Sequence, residues 1–216
     1  MTEIRISSEG LPAWEPSLVG AVASLLTRSA AMGVLTGPAI TVLDSRAVKR
    51  LVTALRQHGI GSDAPIALAP LAESGSRLDV ATQRRMVGHV ERLADALEVS
   101  AAPAAEWPAM RAVFGDEMLI RLLGIADASM RRYAGGERAT PDNVAAKLHW
   151  LAILVADLAG AYNDFGIRRW MQRPRVQLDG SSPWQLLGDD WSPDSAAAQR
   201  VQALAAVLTG PQSLST

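Results

Sequence analysis

The sequence predicts an all-α, mainly helical protein. Alanine- and leucine-rich stretches repeat apolar residues at helical spacing, strict apolar/polar alternation is scarce, and Asp, Ser and Gly stand where such repeats start and stop. With 49% hydrophobic residues in 216, the chain can bury a core as one large domain or two small ones. A charged content of 20%, 17 glycines and 12 prolines argue against wholesale disorder.

Residues 17–33 read as a first helix. Asp44 or Ser45 can cap a second, which carries Val48, Leu51, Val52 and Leu55 and stops near Gly59. A third begins near Asp79 and places Val80, Val87, Val90, Leu93 and Leu97 on a buried stripe, leaving Arg84, Arg85, Glu91 and Asp95 to solvent. Between them, residues 40–43 and 66–68 are short apolar runs that suit either strands or helix starts. Residues 98–108 combine small residues with two prolines and no apolar period, so a boundary falls inside them. The predicted division is a helical region over 1–102 of open role, a helix-turn-helix module with a long helix over 106–166, and a small helical domain over 167–210. The first region could dimerise, sense a ligand or cover a binding face.

Residues 124–141 carry most of the functional information. The apolar body of the preceding helix, Met118, Leu119, Leu122 and Leu123, ends at Gly124, which suits a tight turn between helices. A short basic helix starts near Ala126 or Asp127 and stops at Gly135 and Gly136. With Ile125, Met130 and Tyr133 or Ala134 turned inward, Asp127, Ala128, Ser129, Arg131 and Arg132 are left for a major groove, joined by Arg138 beyond the helix. The arginines would contact phosphates or guanine edges of double-stranded operator DNA. Asp127 would repel phosphates but can accept from cytosine N4. Pro141 and Asp142 then open a long helix to about Tyr162. Its broad apolar surface belongs either at the domain centre or also at a homodimer seam.

Residues 166–187 read as a helix end, a turn and a short helix. Trp170 buries its ring, Arg173 and Pro174 close the helix, Asp179 and Gly180 turn the chain, and Pro183 sits in the next first turn. Arg168, Arg169, Arg173 and Arg175 suit phosphate, an acidic partner or the negative end of the long helix.

A helix-turn-helix, a long helix, an arginine-tryptophan segment ending in Arg173-Pro174, and then Leu-Asp-Gly-Ser-Ser-Pro-Trp-Gln-Leu-Leu over 178–187 resemble the Xre/MbcA/ParS-type antitoxins. The likeness runs from Trp107 to about Leu208. It implies operator binding by the helix-turn-helix side, with Arg131 and Arg132 as DNA residues. It also implies a C-terminal domain that holds a RES-type, NAD-consuming toxin. Trp170, Arg173, Pro174, Leu178, Gly180, Pro183, Trp184 and Leu187 would be the signature of that toxin-binding domain. Ala126 stands where such turns often carry serine, the first hundred residues have no counterpart in the short antitoxins, and residues 193–216 are alanine-rich.

A formal charge of −1 gives the whole molecule no pull toward nucleic acid, so DNA binding would come from a local patch. The absence of cysteine excludes disulfides and thiolate chemistry and suits a cytoplasmic protein. The N-terminus lacks the pattern of a signal peptide, and no apolar run is long enough to span a bilayer. His58, His89 and His149 have no ligand spacing and read as ordinary surface or helix residues, so no metal or other cofactor is expected. No nucleophile elbow, phosphate loop or paired-histidine motif is present, and Gly59-Ile60-Gly61 lacks the third glycine of a dinucleotide fingerprint. The expectation is a binding protein and not an enzyme.

Overall fold

The computed structural model describes residues 2–7, 12–73 and 78–207. These form helices and no strand; a parallel β-bridge joins Ile4 and Ile40, so the run at 40–43 supplies a pairing residue and no regular element. The chain divides between Ala102 and Pro103 into two compact units. Residues 106–166 and 167–207 lie together in the second; residues 208–210 of the expected third domain are outside the described residues.

The first unit is built on α1 (Pro16–Ala31), α2 (Ser45–Gln57) and α5 (Val80–Val99), with the four-residue turns α3 (Ala64–Ala67) and α4 (Ala69–Ala72) between. Proline in the first turn of α1 leaves no hydrogen bond unmade. The Asp44 carboxylate accepts from the Arg46 and Ala47 N–H groups, both at 2.9 Å, and so starts α2. Asp79 does the same for α5 through Thr82 N–H, and that bond holds its carboxyl below the usual carboxylate range. α1 packs along α5, and the buried Arg28 of α1 bonds Glu98 at its far end.

The buried stripe of α5 differs from the expected one. Val80 is exposed and Val87 half-buried, while Gln83 and Met86 lie inside with Val90, Leu93 and Leu97. A glutamine is tolerated there because both ends of its amide are used: Nε2 donates to Leu78 O at 2.9 Å and Oε1 accepts from Glu15 N–H. Of the run at 66–68, Ile66 falls in α3 and stays exposed, whereas Leu68 is buried.

The second unit holds α6 (Pro103–Leu123), α7 (Asp127–Ala134), α8 (Asp142–Leu158), α9 (Asp164–Gln172), a 3-10 turn (Val176–Leu178), α10 (Pro183–Leu187) and α11 (Ala196–Ala206). α8 is the central element. It packs on α6 and α11, and its buried residues, among them Leu148, Trp150, Leu151, Leu154, Val155 and Leu158, point in several directions around the helix. The broad apolar surface is therefore consumed at the centre of the unit, the first of its two expected positions. α6 is broken at Gly115, whose φ of 73° and ψ of 162° no helix accommodates.

Candidate nucleic-acid interface

The second half of α6 stops at Gly124. With φ at 66° its N–H donates to Arg121 O and the next N–H, of Ile125, donates to Ile120 O, both at 3.2 Å. This paired closure satisfies two carbonyls that a helix end would otherwise leave open. Ala126 then starts α7 without a side-chain cap, its carbonyl accepting from Ser129 and Met130. Asp127 does not take over the cap, because its carboxylate pairs with Arg131 one turn later. Gly135 and Gly136 end the helix.

The inner side of α7 presents Met130 and Tyr133, and Trp107 packs against the latter. Met130 is fully buried, and the half-buried Tyr133 stacks on Trp107 with ring centroids 6.5 Å apart. Trp107 is itself fixed by donating Nε1 to Thr140 Oγ1 at 3.0 Å, just past the glycine stop. Trp191, from the far end of the unit, donates Nε1 to Leu122 O at 2.7 Å and meets Trp150 edge-on at 4.7 Å. That hydrogen bond holds the carbonyl two residues before the turn.

Asp127, Ala128, Arg131, Arg132 and Arg138 are exposed, and Ser129 is half-buried. Ile125 and Ala134 are half-buried like Tyr133, so of the residues expected to turn inward only Met130 is fully buried. Arg132 Nε donates back to Ala128 O at 3.2 Å, and the Arg138 guanidinium lies 5.9 Å from the Tyr133 ring centre. Arg132 and Arg138 make no ion pair among the described residues. Arg131 is occupied by Asp127 and also feels Asp116, but a pair this exposed is weakly held and can exchange for phosphate. Asp116 forms a two-pronged pair with Arg111 across the Gly115 break, both contacts at 2.8 Å. The Arg111 hydrogen bonds hold the Asp116 carboxyl below its usual range and raise the arginine in turn.

The C-terminal signature divides by depth. Trp170, Leu178, Pro183 and Leu187 are buried and build the platform, so none offers its side chain to a partner in this conformation. Arg173, Pro174 and Gly180 are exposed and Trp184 is half-buried. Asp179 takes a left-handed conformation at φ 55°, completing the expected turn, and Arg200 secures it at 2.8 Å. Ser182 and Gln185 form a reciprocal capping box for α10. Pro174 and Trp184 line an open hollow of about 650 Å³ together with Asp116, Arg121, Arg168 and Gln172.

Two interior features escaped the sequence reading. His149 is no surface residue: its Nδ1 lies 2.6 Å from Oε1 of the fully buried Glu106. The signal available was that Leu148 and Trp150 flank it on a helix with a broad apolar surface. The hydrogen bond from Trp191 to Leu122 O had no local signal in the sequence. No cluster of His, Asp and Glu fit to hold a metal occurs among the described residues, and no described helix is long and apolar enough to cross a membrane. Comparison with family models, curated proteins and solved structures gives no match.

Proposed function

We propose that the protein is a DNA-binding transcriptional regulator of the antitoxin type, acting in the cytoplasm on its own or a nearby promoter, with α7 as its reading helix. The observation that carries this reading is the division of α7. Met130 is fully buried on one side, while Asp127, Ala128, Arg131 and Arg132 are exposed on the other, after a glycine turn that closes the preceding helix. Arg131, Arg132 and Arg138 supply phosphate or guanine contacts, and Ser129 a further hydroxyl. A homodimer would present two such helices to a palindromic operator.

The test is binding to the DNA upstream of the gene, beside the Arg131→Ala/Arg132→Ala variant. Sequence-specific binding that the variant loses supports the reading. Binding unchanged in the variant sinks it. A second reading, an antitoxin that caps a RES-type toxin through its C-terminal helices, is favoured by the hollow that exposes Pro174 and Trp184. An adjacent toxin reading frame and capture of that toxin through Pro174 and Trp184 would select it.

A further inference from the structure

The arginine run of α9 and its following loop separates into two uses. Arg168 donates to Val113 O and so ties α9 to α6. Arg169, Arg173 and Arg175 instead converge with Tyr162 on a pocket of about 310 Å³, and no acidic residue lines it. We propose that Tyr162, Arg169, Arg173 and Arg175 form a binding site for the phosphate group of a small phosphorylated molecule.

Three observations carry this. First, three arginines line the pocket and no carboxylate does. Arg175 sits 4.5 Å over the Trp170 ring, and its Nε is buried with no hydrogen-bond partner. Burial pushes its pKa down most strongly and the like charge of Arg173 adds to this, while Tyr162 acts in the opposite sense. A bound anion offsets both penalties.

Second, the wall is shaped to stay open. A Cβ on Gly166 would lie 3.1 Å from Cβ and Cδ1 of Tyr162, so glycine is what lets that ring lie against the first turn of α9. Third, the chemistry and size fit a phosphorylated small molecule. Guanidinium forks match phosphate oxygens two at a time, and three of them exceed what one carboxylate needs. The volume falls at the low end of small-molecule sites, about 300 to 1,000 Å³, and exceeds what a lone phosphate ion fills. Because Arg168 is turned to Val113, the cluster is a cradle and not a stripe that could follow a nucleic-acid backbone.

The inference stands apart from the α7 reading and is tested on the full chain by titration calorimetry. The probes are ribose 5-phosphate, inorganic phosphate and succinate. Saturable binding of ribose 5-phosphate is expected, about tenfold or more tighter than either other probe, since each is roughly one lost contact set away. Arg169→Gln/Arg173→Gln should weaken it by at least about tenfold. Both side chains are exposed, so an unchanged circular dichroism spectrum and melting temperature are expected. Gly166→Val, which displaces Tyr162, should weaken it independently, and Arg131→Ala/Arg132→Ala should leave it intact. No saturable binding, binding indifferent to the double substitution, or equal binding of succinate would overturn the site. Inorganic phosphate binding as tightly as the sugar phosphate would reduce it to an adventitious ion only and overturn it as well.

Discussion

Glu106 is fully buried in the first turn of α6, and the His149 ring is one of the groups that make a carboxylate tolerable there. Removing that ring takes a hydrogen bond from a group that cannot reach water, so His149→Ala should lower unfolding stability by about 1 to 3 kcal/mol. Urea denaturation reads this directly, and a loss below about 0.5 kcal/mol would show the pair to be dispensable. Trp191 makes the complementary case. Trp191→Phe keeps much of the packing on Trp150 but deletes the donor to Leu122 O, so its cost should be about 1 kcal/mol. If the carbonyl before Gly124 steadies the turn, the same variant also weakens operator binding beyond its loss of stability. Neither pairing was legible in the sequence: the partners lie 43 and 69 residues apart, and nothing local marks a histidine or tryptophan for a distant polar atom.

At the scale of elements, what the sequence made legible were the starts and stops. Asp44, Asp79 and Pro183 begin helices and Gly124, Gly135 and Gly136 end them, because caps and left-handed turns are decided within a few residues. The glycine break inside α6 was not legible. Gly115 stands in an apolar periodic stretch, and only tertiary packing decides whether such a glycine stays helical. The stripe of α5 was misplaced at Val80 and Val87 for a related reason: Gln83 is buried through hydrogen bonds that hydropathy does not weigh.

The Arg111–Asp116 pair bridges the α6 break, and its exposure limits it to about 0.2 to 1 kcal/mol. Asp116 has a folded pKa below its unfolded one, so this contribution is complete above about pH 4 and is lost as pH falls through the folded value. Arg111→Ala should therefore be less stable than the parent at neutral pH and approach it in acid. A difference that grows in acid would refute the clamp.

For the whole molecule, the division at Ala102 assigns every residue of the α7 interface to the second unit. A boundary was legible in the small-residue, proline-bearing stretch, whereas the shared core of residues 106–166 and 167–207 was not, since it depends on α8 serving α6 and α11 at once. The net charge of −1 then makes a quantitative demand on the proposed regulator. With no general electrostatic attraction, the salt dependence of binding reports the local arginines alone. Three phosphate contacts from Arg131, Arg132 and Arg138 give a log-log slope of about −3 for one copy, and two copies on a palindrome give about −5. Arg132→Ala should reduce the slope by about 1 per protomer and weaken all sequences alike if Arg132 holds phosphate. If it reads a guanine, the loss should instead be about 1 to 3 kcal/mol and confined to one operator position. A protein comprising residues 103–216 should keep the parent's slope. A steeper slope in the full chain would mean that cations of residues 1–102 also engage the DNA, and α7 would no longer account for binding by itself.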